Sequence, residues 1–330
     1  RWYSIPNVFH YERPQRGRLR EHWQLNVDMF GSENVTADVE IISLSHDIMR
    51  EFGAKDADFE IRLNHRGMFH TLFTDCLAIT NEERRTLAML IDRRAKMDEV
   101  GFKTAVSEIL KGSADMLLSV LDAKTIEELA ERMPECVNDT KWLDELRAIR
   151  DGLAAQGITN IVFDPTLMRG FDYYTGMIFE IFDTDPQNNR SLFGGGRYVR
   201  LLELFSDYKF PAVGFGMGDV TISDFLETHD LLPKRISTTD LMLCVVDEKG
   251  RSAAPDLARH LRAGGVRVAV YEGTKKVGDQ IGIASKKGIP FVVCIGEKEA
   301  AEGSYVLKEL ATGNEMTLDM AGITAFFRTR

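Results

Sequence analysis

Eight residues, Arg169-Gly170-Phe171-Asp172-Tyr173-Tyr174-Thr175-Gly176, place a guanidinium, a carboxylate and two phenols between two glycines. The apolar run Met177-Ile178-Phe179 follows directly, with Glu180 and Ile181 after it. Polar tips beside a core each need a partner, so such a cluster is costly to build for structure alone. It suits the gripping of a small zwitterion. The planar fork of Arg169 fits a carboxylate or a phosphate. Tyr173 and Tyr174 offer flat walls with hydroxyl handles.

A second group of chemically capable residues lies near the start of the chain. Arg13-Pro14-Gln15-Arg16-Gly17-Arg18-Leu19-Arg20 carries four arginines in eight residues. This loop joins two arms that read as a β-hairpin over residues 1–31. The first arm holds Ile5 to Glu12. The second alternates, with His22, Gln24, Asn26 and Asp28 on one face and Trp23, Leu25, Val27 and Met29 on the other. A period of two puts the polar set on one side of a sheet and predicts a core position for the apolar set. Gln24 and Asp28 can therefore point into one pocket.

These segments must be positioned by the rest of a 330-residue chain, long enough for two or three domains. A helix is expected over Asp38 to Phe52 and a strand over Phe59 to Leu63. From about 66 to 156 the pattern is helical and charged, and reads as an insertion. Within it, Thr125-Ile126-Glu127-Glu128 predicts a capping box, and Gly157 ends the helix Lys141 to Gln156. Strands resume at Ile158 to Phe163 and continue to Phe182. Gly194-Gly195-Gly196-Arg197-Tyr198 and Gly214 to Gly218 follow. A polar linker over 233–239 separates residues 1–232 from 240–330. In the latter, strands at Leu241–Val246, Val266–Tyr271 and Pro290–Ile295 alternate with helices at Ala253–Ala263 and Val277–Lys287. Short β pieces follow near Tyr305 and Met316. The expected fold is an α+β domain with an antiparallel sheet and a helical insertion, then a small α/β domain with a mixed sheet.

Composition sets outer limits. With 44% hydrophobic and 28% charged residues the chain is that of an ordinary globular protein, and no apolar run is long enough to span a bilayer. The net charge of −10 gives no general attraction to nucleic acid. Residues 237–330 carry 13 basic and 12 acidic side chains, so the excess negative charge lies before them. A polyanion would have to use local patches such as Lys275-Lys276. Cys76, Cys136, Cys244 and Cys294 form no CxxC pair, which predicts reduced thiols, a cytoplasmic protein and no structural zinc. His65 and His70 are badly spaced for a shared ion, and no metal site is expected.

The octapeptide resembles the histidine-binding signature of histidyl-tRNA synthetases, Arg-Gly-(Leu/Phe)-Asp-Tyr-Tyr. Phe9 to Arg20 resembles the second motif of the class II aminoacyl-tRNA synthetases in its histidine-specific form. Gly194 to Tyr198 and Gly214 to Gly218 resemble the third-motif region, and Gly278 to Glu297 the anticodon-binding domain. These motifs occur in family order over nearly the whole chain. The resemblance implies a histidine–tRNA ligase: histidine and ATP give histidyl-adenylate, and the histidyl group passes to tRNA(His). It places Arg169 near the α-phosphate and the histidine carboxylate, Arg18 and Arg20 with the ATP phosphates, and Glu12 at the adenine. Gln24 would hold the amino acid's backbone end. Asp28 would accept from the imidazole N–H, with Tyr173 and Tyr174 around the ring. Mg²⁺ would bridge the phosphates, Lys275 and Lys276 would meet tRNA, and the complete protein would be a homodimer.

Three departures accompany the resemblance. His10 stands where the family usually has a catalytic arginine, and an imidazole is shorter, with at most two donors in place of a fixed bidentate cation. Thr221 stands at the third-motif arginine. The first motif is not in the chain, which opens on Arg1-Trp2-Tyr3 without an initiator Met and so predicts an upstream segment. A catalytically impaired, RNA-binding or regulatory relative is the alternative reading, and it would keep the same fold.

Overall fold

A computed structural model describes residues 1–11, 17–77, 79–168, 174–188, 190–199, 210–233 and 237–329. Glu12, Arg169 and Tyr173 therefore lie outside the described residues. Contacts divide the chain into two units, Arg1–Leu232 and Pro233–Arg330.

The first unit is organised on the hairpin arm. Strand β1 (Trp2–Ser4) and strand β2 (Asn7–Phe9) both run antiparallel to β3 (Glu21–Phe30). The first arm is thus two short strands separated at Ile5-Pro6, since a proline cannot donate to the ladder. Helix α1 (Val35–Glu51) follows, with the Asn34 side chain accepting from Thr36 N–H at its start. Then come β4 (Phe59–His65) and six helices: α2 (Arg66–Thr71), α3 (Asn81–Asp92), α4 (Glu99–Leu110), α5 (Ala114–Leu121), α6 (Ile126–Arg132) and α7 (Lys141–Ala155). The chain returns through β5 (Ile161–Phe163), β6 (Met177–Asp183), β7 (Ser191–Tyr198) and β8 (Ala212–Gly218) into α8 (Asp219–Thr228).

The strands form one sheet in the order β1-β3-β8-β7-β6-β4-β5, with β2 also on β3. Every pairing is antiparallel except β4 with β5. The helical segment shares its core with this sheet: Leu87, Phe102, Leu117 and Leu146 belong to the same buried cluster as Ile61, Phe179 and Phe215. Its helices are therefore held by tertiary burial as well as by their caps.

Several local expectations change. The complete capping box is at Thr80 and Glu83. Thr125 does accept from Glu128 N–H, but the Glu128 carboxylate accepts from Lys124 N–H, one residue early. Trp23 is 53% exposed, because the apolar core reaches Leu25, Val27 and Met29 and stops short of it. Cys76 and Cys136 are joined by a disulfide, with Cα atoms 5.5 Å apart, which corrects the expectation of four reduced thiols. The two are 60 positions apart in sequence. Only the packing of the helical segment brings them together.

The second unit is a five-stranded mixed sheet in the order β10-β9-β11-β12-β13. Its elements are β9 (Leu241–Val245), α9 (Glu248–Ala263), β10 (Val268–Val270), α10 (Val277–Lys286), β11 (Phe291–Ile295), α11 (Glu297–Glu302), β12 (Tyr305–Glu309), β13 (Glu315–Leu318) and α12 (Met320–Arg328). β9 pairs in parallel with β10 and β11, and β12 is antiparallel to β11 and β13. One face packs Leu241, Leu243 and Val293 against Leu257, Leu261 and Ile323, and the other packs Met242 and Val292 against Ala284.

Candidate active site

The polar face of β3 looks across a floor of glycines. Register sets Asp28 against Gly214, Asn26 against Gly216 and Gln24 against Gly218. A Cβ at Gly214 would stand 2.3 Å from Asp28 Oδ1 and from the Val27 carbonyl, so only glycine fits there. On the neighbouring strand a Cβ at Gly196 would stand 2.6 Å from the Met177 carbonyl and 2.9 Å from the Tyr174 ring. The glycines bring a flat backbone surface to the site while side chains from the strand ends form its walls.

Asp28 is fixed from the side. The Tyr198 hydroxyl donates to Asp28 Oδ1 at 2.5 Å. The Tyr198 ring meets that of Tyr174 edge-on, with centroids 6.5 Å apart. Tyr174, Tyr198 and Asp28 thus form one connected wall. The exit of the octapeptide is pinned by backbone bonds: Thr175 N–H and Gly176 N–H both donate to the Arg197 carbonyl, at 2.8 and 3.3 Å, and Arg66 N–H donates to the Gly176 carbonyl. The Arg197 side chain makes a buried pair with Asp38 of α1, 2.7 Å apart, and also donates to the Ser32 and Asn34 carbonyls. Burial raises the Asp38 carboxyl while the hydrogen bond from Arg197 opposes it. β7 is thereby tied to α1.

Further along the same face is a cavity of about 940 Å³ whose lining includes His10, Arg18, His22, Gln24, Glu180 and Arg190. Gln24 Nε2 donates to Asn26 Oδ1 at 2.5 Å. His10 and His22 meet edge to face with centroids 5.0 Å apart, and His10 N–H donates to the Arg20 carbonyl at 2.7 Å. The Arg20 guanidinium lies over the Tyr11 ring, and Arg20 is not among the residues lining the cavity. Thr221, also on the cavity wall, donates its hydroxyl to the Leu192 carbonyl at 2.5 Å. His22 Nδ1 and Thr175 Oγ1 are buried without a hydrogen-bond partner. Unsatisfied buried polar atoms are costly, and His22 is one of the residues lining the cavity.

Of the residues expected from sequence, His10, Arg18 and Gln24 share this cavity, and Asp28 and Tyr174 stand beside it on the sheet face. Tyr198, His22 and Arg190 were not expected. Tyr198 was visible only as the end of a glycine run, and His22 only as one member of the polar face. Arg190 follows the polar turn after β6 and carried no sequence signal. In the second unit Lys276 caps α10, and Lys275 is held from below. The buried Gln280 accepts from Val245 N–H and donates to the Val245 and Lys275 carbonyls, each at 2.8 Å.

A family model described as histidyl-tRNA synthetase matches residues 1–220, and one described as anticodon binding domain matches 240–330. The chain belongs to the histidyl-tRNA synthetase family. A histidine–tRNA ligase of Leptospira biflexa serovar Patoc is 37% identical over 97% of this chain and 74% of its own length. One from Natronomonas pharaonis is 33% identical with the same two coverages. Among solved structures, the histidyl-tRNA synthetase from Nostoc sp. PCC 7120 superposes with a TM-score of 0.75 over 99% of this chain and 77% of that one, at 22% identity. That likeness shows the fold: the antiparallel sheet of a class II synthetase in the first unit, followed by the mixed-sheet second unit. For this histidyl-tRNA synthetase family member, the antiparallel sheet is the catalytic sheet and the second unit is the anticodon-binding domain.

Proposed function

We propose that this chain carries out histidine–tRNA ligation: it activates histidine with ATP, releases pyrophosphate and passes the histidyl group from the adenylate to tRNA(His). The observation that carries the reading is the Asp28 carboxylate, fixed by Tyr198 and set over Gly214. A carboxylate facing an imidazole N–H selects for a ring donor that apolar amino acids lack. Gln24 lines the adjoining cavity, which supports its assignment to the amino acid's backbone end.

Adenylate formation asks for positioning and charge stabilisation. The histidine carboxylate attacks the α-phosphate and pyrophosphate leaves. Arg169 is assigned to the α-phosphate and carboxylate, Glu12 to the adenine, and Tyr173 to the histidine ring with Tyr174. Arg18 is assigned to the terminal phosphate, and its place on the cavity wall supports this. Arg190 lines the same cavity as Thr221 and adds to its positive charge. Arg20 serves the phosphates less directly, given its seat over Tyr11.

Mg²⁺ fits this scheme as an ion brought in with ATP. No group of three or more His, Cys, Asp or Glu side chains among the described residues could hold a metal by itself. When bound with ATP the ion would offset phosphate charge. Lys275 and Lys276, at the N-terminus of α10, are assigned to tRNA. A homodimer is supported by the exposed aromatics Tyr3, Phe9 and Trp23, which share one face of β1–β3, a surface a second copy would cover. A cytoplasmic location is the reading that the substrates tRNA and ATP support. Histidine-dependent ATP–pyrophosphate exchange tests the reading: histidine alone among the amino acids should support it, and no exchange, or exchange with proline or threonine instead, contradicts it.

A further inference from the structure

The second unit contains two thiols that ligation does not use. Cys244 on β9 and Cys294 on β11 stand directly opposite each other across two parallel strands. Neighbouring strands are about 4.7–4.9 Å apart, inside the Cα separation of about 4.4–6.8 Å that a disulfide spans. Both belong to the sheet face covered by α10: Cys244 packs with Met242, Ala284 and Val292, and Cys294 lies at the edge of that cluster. Cys244 is fully buried and Cys294 partly exposed. A reagent from solvent therefore meets Cys294 first.

The surroundings polarise the pair. The charged groups that face Cys294 are Glu299 of α11, Lys308 of β12 and Glu315 of β13. The hydrogen bond between the two thiols pushes Cys294 down to about 7 and pushes Cys244 up, with burial adding to the rise at Cys244. Lys308 favours the Cys294 thiolate, and Glu299 and Glu315 oppose it, Glu315 being paired with Lys308 at 2.7 Å. Near neutral pH Cys294 is the nucleophile and Cys244 its hydrogen-bond donor.

We propose that Cys294 and Cys244 form a peroxide-responsive dithiol site, in which Cys294 is oxidised by a hydroperoxide and Cys244 resolves the product to a disulfide bridging β9 and β11. In the first step the Cys294 thiolate attacks the terminal oxygen of ROOH. An S–O bond forms, the O–O bond breaks, and the departing RO⁻ takes a proton from water. Sulfur is oxidised to the sulfenic acid and the peroxide is reduced to ROH. In the second step the Cys244 thiol gives up its proton and attacks the Cys294 sulfur. The S–O bond breaks, and hydroxide leaves with that proton as water. Overall, two thiols and ROOH become a disulfide, ROH and water.

The test uses the full chain treated with one equivalent of tert-butyl hydroperoxide, followed by peptide mapping. The expected product is a cross-link between the peptides containing Cys244 and Cys294. In Cys244→Ser, Cys294 should stop at a sulfenic acid that dimedone captures, with no cross-link. In Cys294→Ser, oxidation of Cys244 should be at least about tenfold slower than in the unmodified chain, because the accessible thiolate is gone. Both changes are close in volume, and circular dichroism checks that each variant is folded. Oxidation of Cys244 at an unchanged rate in Cys294→Ser overturns the proposal. So does oxidation of Cys294 in the unmodified chain that never proceeds to the cross-link.

Discussion

The hydroxyl of Tyr198, on β7, donates to the Asp28 carboxylate on β3 across 2.5 Å, although the strand β8 runs between them. The bond can reach because β8 presents Gly214 at that point, with no side chain in the way. It fixes the orientation of Asp28, which would lower the cost of binding the imidazole proposed to face it. Tyr198→Phe should weaken histidine binding by about 1 kcal/mol, the net worth of an ordinary hydrogen bond. Calorimetry with histidine and histidinol measures it, and an unchanged affinity would remove Tyr198 from the site.

His10 gives a second prediction. It lines the cavity beside Arg18 and packs against His22. An imidazole there lacks the forked cation that would hold a phosphate oxygen and the attacking carboxylate together. His10→Arg should raise the rate of histidine-dependent pyrophosphate exchange by about 10²-fold, since a transition-state donor is worth roughly 2.7–4 kcal/mol. No gain would mean that His10 suffices or that another cation of the cavity wall, such as Arg190, has taken over the task.

Acid stability should depend on Glu145. His65 accepts from Gly67 N–H through Nδ1 and so presents Nε2 to Glu145, 2.9 Å away. That hydrogen bond holds the Glu145 carboxyl below its ordinary range, against partial burial. A carboxyl depressed in the folded state adds stability above its unfolded pKa, about 4.3, and loses it as pH falls through the folded value. Glu145→Gln should therefore melt lower than the unmodified chain near neutral pH, with the gap closing below about pH 4. A gap in melting temperature that stays constant from pH 7 to pH 3 contradicts this.

The second unit has its own cores on both sheet faces, which argues for independent folding. Residues 237–330 expressed alone should melt cooperatively. Changing Lys275 and Lys276 together to alanine should weaken binding of tRNA(His) and flatten its salt dependence. Gln280→Ala should do the same more mildly, because it leaves the lysines in place and removes their anchor. Circular dichroism reads the melt and filter binding across a salt series reads the two variants; an unaltered salt slope for the double variant would move the RNA contact elsewhere.

Much of this was legible because it is local. The alternation from His22 to Asp28 was enough to place four polar residues on one strand face, and the helix and strand periods located most elements within a few residues. What sequence could not carry was pairing across distance. Asp28 with Tyr198, Asp38 with Arg197 and Cys76 with Cys136 each join segments separated by 60 positions or more. Trp23 followed the apolar alternation yet remains exposed, because the period assigns a face and leaves open what covers it. Helices α11 and α12 also went unread: α11 is only six residues long, and the β signals around Tyr305 and Met316 dominated that stretch.

The central claim is that Asp28 selects histidine, and it is tested most directly by calorimetric titration of the full chain with histidine, glutamine and proline, before and after Asp28→Asn. Histidine should bind more tightly than the other two, and Asp28→Asn should cost about 1.5–3 kcal/mol of that affinity, as for a hydrogen bond involving a charged partner. Equal or tighter binding of glutamine or proline, or an Asp28→Asn variant that binds histidine as well as the unmodified chain, would contradict the account.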